Sequence, residues 1–591
     1  RAAGDAAGRG RAHPKSPPPP PRSPTRPPPR LTHQVSLRPL LPLAAVAVLT
    51  GAAFAQGPPP PAPQLGPVPV PPGNPITASK AVLGKILFWE EQLSTDNTVA
   101  CGTCHIPSAQ GGDPRSGQPG SRHAGFDSTF FTPDDVFGSP GVVRADADDN
   151  YVMSPTFGFA DQVTPRATPT MIGAAYAPLL FWDGRASSTF VDPQSGAIVL
   201  QNGAALESQA VGPLTSDVEM AHADRDWAGI TAKLAQVDPL ALATNLPPDV
   251  ASALIGSPSY PALFQAAFGS PQITAGRIGM AIATYERTLI PNQTDYDAFA
   301  AGNPNALTPQ EQQGFQVFST GGRCAVCHTP PHFTNVAAPI PAQFRNIGVR
   351  PPAEDLGRQV ETGIVGDRGR FKVPTLRNVA LRDRFFHNGS QPNLAGVLAF
   401  YARHGDFNDN KDPVIDTINL PPQAAANVQA FLTGGLTDPR VANELPPFDR
   451  PTLHSETPAA DPPVVGRGIA GAGGIPQMIA TAPPALGAPG FKLGLAGARG
   501  GAQAFLALVD PATGQPLTQT RVGAVHYGGL SRFPITMLPG GGATDGFTTY
   551  HLELPGMAAL AGQKLRAQWW VADPTAPGGF AKSPQIELTL F

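Results

Sequence analysis

Residues 101–105 read Cys-Gly-Thr-Cys-His and residues 324–328 read Cys-Ala-Val-Cys-His, and these two stretches hold all four cysteines of a 591-residue chain. Two thiols three positions apart reach one edge of a porphyrin, and a histidine directly after them swings beneath its iron. Cys-x-x-Cys-His is therefore the pattern of covalent c-type haem attachment. Cys101 and Cys104 would tether one haem with His105 as axial ligand, and Cys324 and Cys327 a second with His328. A redox disulfide or a zinc ribbon would also use paired cysteines. Zinc ribbons, however, set their pairs about 15–20 residues apart. Here the pairs are widely separated, each ends in histidine and no thiol is left over, which selects haem.

Moving outward, each motif is approached in the same way. Residues 77–89 (TASKAVLGKILFW) place Val82, Leu83, Ile86 and Leu87 at helical spacing behind a Thr/Ser start, and a short polar stretch leads to Cys101. Thr308-Pro309-Gln310-Glu311 forms a capping box that predicts a second helix through Phe315 and Phe318, delivering the chain to Cys324. An amphipathic helix is predicted over 273–289, with Ile278, Ala281, Ile282, Tyr285 and Leu289 on one face, and an apolar one over 394–402. Gly111 to Thr164 is rich in Gly, Pro, Asp and Ser, which predicts loops over a haem edge.

The expected fold is mainly α: two cytochrome-c-like haem domains, an N-terminal one at 76–295 and a C-terminal one at 296–448. A linker at 449–468 then leads to a C-terminal all-β, sandwich-like domain at 469–591. There FKLGLAG, AFLALVD, RVGAVHY, TTYHLELP, KLRAQWWVAD and QIELTLF are short β-prone runs separated by turn residues. His526 and His551 are isolated in it and no ligand cluster falls there.

Ahead of the haem motifs, residues 14–30 and 57–75 are proline-rich, so 56–75 is expected to be a disordered or extended linker. Arg38, the apolar run Leu40–Leu49 and Ala53-Phe54-Ala55 have the order of a secretory signal. The run is too short to span a bilayer. Residues 1–55 are thus expected to be an upstream extension plus signal peptide, the first methionine being Met153, and the protein to be exported to the bacterial periplasm. Residues 1–55 carry eight Lys/Arg and one Asp, leaving 33 basic against 43 acidic residues beyond them. That balance gives no footprint for nucleic acid and favours a basic soluble partner.

Five ordered stretches, LGKILFWEEQLSTDNTVACGTCH (83–105), FWDGRA (181–186), LESQAVGPLTSDVEM (206–220), LTPQEQQGFQVFSTGGRCAVCH (307–328) and FKVPTLRNVALRDRFFHNGS (371–390), resemble the bacterial di-haem cytochrome c peroxidase family, which includes the methylamine-utilisation protein MauG. The resemblance covers about residues 76–440. It implies a peroxide-reacting first haem and an electron-supplying second haem. It implies distal-pocket roles for Gln209 and Glu219, with Pro213 shaping the pocket, and an inter-haem relay at Trp182. The stretch between Trp182 and Gln209 is longer than in typical members, which suggests an added loop at the domain interface.

His123, in SGQPGSRHAG, falls near the position of a removable sixth ligand of the first haem. The distal ligand of the second haem is expected to be Tyr401, with His404 as the alternative, because no methionine occurs between Met280 and Met478. An oxygen ligand would lower that haem's potential. Family members keep a calcium ion between the haem domains, held partly by an asparagine. Here the motif reads Arg166-Ala167-Thr168-Pro169-Thr170, leaving backbone carbonyls near Arg382 and Arg384 as the means of binding it. The implied partners are hydrogen peroxide and a soluble electron donor, a c-type cytochrome or cupredoxin. Alternatives are a protein or organic substrate oxidised in MauG fashion, and a purely electron-carrying role. A second copy of the chain is a further partner the resemblance allows.

Overall fold

The computed structural model describes residues 63–509, 521–522, 525–526, 536–554, 556 and 558–591, so the expected extension and signal peptide at 1–55 lie outside the described residues. Helix is the main regular element before about residue 460 and strand after it. The helices that position the cysteine motifs are α1 (Ala78–Phe88), α2 (Cys101–Cys104), α3 (Ala205–Ala210), α4 (Ala275–Glu286), α5 (Pro309–Ser319), α6 (Leu394–Ala402) and α7 (Pro422–Ala430). Among the described residues no helix is long and apolar enough to cross a membrane.

The local signals act where the sequence places them. Thr77 accepts a hydrogen bond from the Lys80 amide at the start of α1, and Thr274 one from Arg277 at the start of α4. Thr308 and Glu311 cap α5 reciprocally. Each capping side chain satisfies an amide that has no partner within its own helix.

Two helix crossings organise the region. α1 passes α4 at Gly84, where a Cβ would stand 1.9 Å from the Ala281 carbonyl oxygen. α5 passes α7 at Gly314, where a Cβ would stand 2.0 Å from the Asn427 carbonyl oxygen. Each crossing is the centre of an apolar core. The first gathers Leu83, Leu87, Trp89, Ile282 and Tyr285. The second gathers Tyr296, Phe318, Phe333 and Phe431 as an edge-on aromatic cluster.

Three stretches differ from their sequence readings. The proline-rich segment from residue 63 to 75 is ordered as a strap, not disordered. Its free carbonyls accept hydrogen bonds from Tyr296 at Pro63, Tyr176 at Gly66 and Arg287 at Pro69, and buried Asn74 donates to Glu207. The insertion after Trp182 folds as a short hairpin, Phe190–Val191 with Ile198–Leu200, rather than a loop at an interface. Gln194 accepts from the Ala275 amide, which seats this hairpin on the first turn of α4. The linker expected at 449–468 is docked against the first core. Asp449 pairs with buried Lys85 at 2.8 Å, and the carboxylate of Glu91 takes the amides of His454 and Ser455 at 2.8 and 2.9 Å.

The strands are β1 (Val464–Val465), β2 (Gln477–Ile479), β3 (Lys492–Ala498), β4 (Gln503–Val509), β5 (Thr536–Met537), β6 (Gly546–His551), β7 (Lys564–Ala572), β8 (Phe580–Lys582) and β9 (Gln585–Thr589). One antiparallel sheet runs β2-β3-β6. The other runs β5-β4-β7-β9-β1, with β8 also on β7. Arg521–Val522 and Val525–His526 form a separate short ladder. Leu493 and Leu495 from β3 meet Leu506, Leu565 and Trp569 from the second sheet in one core. Two sheets sharing an apolar interior are the two-layer arrangement that strand alternation requires.

This β unit grips the first haem-motif region. Lys492 is fully buried and reaches the Asp149 carboxylate at 2.5 Å, with its ammonium 4.2 Å from the Tyr151 ring centroid. Tyr151 hydrogen-bonds Thr481 at 3.0 Å through its hydroxyl and packs with Ile479 and Ala496.

Candidate active site: two cavities with a common wall

Each cysteine motif ends on a histidine whose ring is oriented by the backbone. His105 Nδ1 lies 3.0 Å from the Gly111 carbonyl oxygen, and His328 Nδ1 lies 3.1 Å from those of both Phe333 and Pro374. A carbonyl oxygen only accepts, so Nδ1 carries the proton in both rings and the Nε2 lone pair is left for a metal. Burial pushes both imidazoles down, His328 to about 4, so the rings are neutral.

Cys104 and His105 open onto a cavity of about 630 Å³, and Cys324, Cys327 and His328 onto one of about 170 Å³. Cys101 packs at the edge of the first core, and all four thiols are free. Leu394, Val397, Leu398 and Leu432 make the second cavity largely apolar. A thiol pair, an imidazole presenting Nε2 and apolar walls fit a covalently tethered haem in each cavity.

Trp182 stands in the walls of both cavities, as do Pro169, Thr170, Lys372, Pro374, Thr375 and His387. The indole is fixed at two points. Its Nε1 donates to the Ala167 carbonyl at 2.7 Å, and its own carbonyl accepts from the Lys372 amide at 2.7 Å. His387 meets the indole edge-on, with centroids 6.3 Å apart, and stacks on Phe371 at 3.6 Å.

Gln209 from α3, Pro213 from the next turn and Glu219 line the first cavity together with His105. The strand segment at Gly141 presses on the chain carrying Glu219, a Cβ there falling 2.0 Å from the Val218 carbonyl oxygen. Burial raises the Glu219 carboxyl, against the pull of the Ser216 hydroxyl and the Arg185 charge. A carboxyl held toward neutrality in a cavity suits proton transfer.

His123 also lines the first cavity, but its hydrogen bond runs the other way. The Gly125 amide donates to His123 Nδ1 at 3.1 Å, so the proton of the neutral ring sits on Nε2. In this conformation Nε2 has no lone pair to offer a metal, contrary to the ligand reading.

In the second cavity Tyr401 forms part of the wall. His404, the alternative, contributes nothing to that lining and commits Nε2 to the Ile418 carbonyl at 3.0 Å. Burial raises the Tyr401 phenol, so its ionisation calls for a cation inside the cavity.

The sequence reading missed three charged groups. Glu286 lines the first cavity with a buried Oε2 that has no hydrogen-bond partner, and burial pushes its carboxyl up to about 8. The available signal was a carboxylate four residues after Ile282 on an otherwise apolar helix stripe. Lys372, lowered to about 8 by burial, lies in the wall common to both cavities. Arg382 donates through Nε to the Arg384 carbonyl at 2.8 Å and through Nη2 to the Thr168 carbonyl. Those carbonyls, in the region where the resemblance puts calcium, therefore face a guanidinium and do not fit a divalent cation.

A chain with two such cavities sharing one tryptophan is a two-haem protein by construction, and comparison with known proteins gives its class. A family model described as di-haem cytochrome c peroxidase matches residues 78–305. A methylamine utilization protein MauG from Methylorubrum extorquens is 29% identical over 62% of this chain and 80% of its own length. A cytochrome c551 peroxidase from Nitrosomonas europaea is 26% identical over 66% and 88%. Among solved structures, a MauG-like protein associated with microbial copper homeostasis superposes with a TM-score of 0.46 at 24% identity, over 65% of this chain and 96% of that one. The chain belongs to the di-haem cytochrome c peroxidase and MauG family: it is an oxidoreductase of the two-c-type-haem class.

Proposed function

We propose that the protein is an exported di-haem peroxidase that reduces hydrogen peroxide at the cavity of His105, using electrons relayed from the cavity of His328. The observation that carries this reading is that Gln209, Pro213, Glu219 and His105 line one cavity whose wall, at Trp182, is also the wall of the other. Haem bound to Cys101, Cys104 and His105 supplies an iron able to take oxidising equivalents from a peroxide.

The chain's own groups do the rest. The Glu219 carboxyl takes the proton from the inner peroxide oxygen and returns it to the leaving oxygen, which departs as water. The Gln209 amide orients the peroxide, and Pro213 keeps that side of the cavity narrow. Trp182 passes electrons across the common wall, while the basic Nε2 groups of His105 and His328 fix the irons on the opposite faces. The two haem-motif regions, 76–295 and 296–448, act as separate cytochrome-c-like domains, and the β unit from 469 onward is an accessory to them. A soluble c-type cytochrome or cupredoxin delivers electrons at the second region.

A MauG-like oxidation of a protein or organic substrate is the second reading, and Tyr401 in the wall facing His328 favours it, since an oxygen ligand stabilises oxidised iron. Stopped-flow mixing of the ferric protein with hydrogen peroxide tests the proposal. Glu219→Gln is expected to slow the peroxide reaction by about 10²–10⁴-fold with both haems retained. Wild-type protein that carries two haems but has no high-spin signal in any redox state and no turnover would instead be an electron carrier.

A further inference from the structure

Arg382 touches three segments that meet between the two cavities. Its guanidinium donates to the carbonyls of Thr168 and Arg384. Its Nη1 lies against the backbone of Gly112, where a Cβ would stand 3.0 Å away. Gly112 belongs to the loop that orients His105, directly after the Gly111 carbonyl that accepts from Nδ1. Thr168 belongs to the segment that holds Trp182, directly after the Ala167 carbonyl that accepts from Nε1. The Ala167 amide in turn donates to the His387 carbonyl at 2.7 Å.

Both hydrogen bonds of this side chain therefore go to carbonyl oxygens and neither to a carboxylate. Carbonyl oxygens from separate segments converging on one positive charge are what a hard metal cation ordinarily collects. A guanidinium offers the same charge with five donors in a fixed plane, which a lysine ammonium does not reproduce. Alanine at 167 supplies no side-chain oxygen, so the segment depends on the guanidinium for its positive centre.

We propose that Arg382 is a resident cation that takes the place of a divalent metal between the cavities, holding the Trp182 segment against the His105 loop without calcium. It is a positioning residue and rests on the two-haem reading. For that reason haem content per chain, by the pyridine haemochrome method, is measured first on each sample and separates failure of that reading from failure of this one.

The wild-type holoprotein is titrated with calcium chloride by calorimetry. It is then dialysed against EGTA, and the absorption spectrum of the one-electron-reduced form is recorded. Expected results are no stoichiometric calcium binding and an unchanged spectrum. Arg382→Ala is expected to alter that spectrum and slow inter-haem electron exchange by about ten- to a hundredfold, the scale of a misplaced group. Arg382→Lys should recover only part of the loss. One calcium bound per wild-type chain, or a spectrum lost on chelation and restored by calcium, overturns the proposal. So does Arg382→Ala with two haems and unaltered exchange. If Arg382→Ala fails to mature, the wild-type calcium measurements still decide.

Discussion

His105, His328 and His123 are imidazoles in cavity walls, and what separates them is the ring nitrogen each commits to the backbone. The first two give Nδ1–H to a carbonyl; the third receives an amide proton on Nδ1. Residue type and spacing make the cysteine motifs legible, but a tautomer depends on which backbone group faces the ring, and spacing does not encode that. Glu286 makes a sharper test. Its folded pKa of about 8 lies above the ordinary 4.5 of a glutamate because burial disfavours its charge. The folded state then binds more protons than the unfolded one between those values, so this group's contribution to stability is greatest below about pH 4.5 and falls as pH rises toward 8. Glu286→Gln should flatten that fall. Denaturant midpoints of the two holoproteins compared across this range would show it, and parallel curves would dismiss the assignment.

At the scale of elements, α1 with α4 and α5 with α7 solve one packing problem twice, a glycine letting the helix ahead of each cysteine motif lie directly on a later one. Gly314→Ala would force a Cβ toward the Asn427 carbonyl oxygen, 2.0 Å away without adjustment. The expected loss is about 1–3 kcal/mol, the usual cost of overpacking, read as a lower urea midpoint. An unchanged midpoint would mean that the crossing tolerates separation. The Thr308–Glu311 box and the α4 stripe were legible because their partners lie within a turn or two. The strap at 63–75 and the docked stretch at 449–468 were not. Their ordering depends on Tyr296, Arg287 and Glu91, hundreds of residues away, while their own composition is that of a linker.

For the whole molecule, the β unit is fastened to the loop over the first cavity by a single buried ammonium. Lys492→Ala strands Asp149 and should cost about 3–5 kcal/mol, the penalty for leaving half of a buried ion pair. A drop in thermal midpoint with faster proteolysis between residues 144 and 160 is the expected result. A variant as resistant as wild type would mean that the apolar contacts around Tyr151 suffice.

The partition formed by Trp182 and its neighbours is one side chain thick at the indole, which leaves no room for an intervening film of solvent. Charge moving through it reorients few water dipoles. The internal transfer is thereby insulated from ionic strength, which acts instead on the encounter with an outside donor. Dissolved salt therefore governs how often the molecule is refuelled, while the packing around one indole governs what happens afterwards.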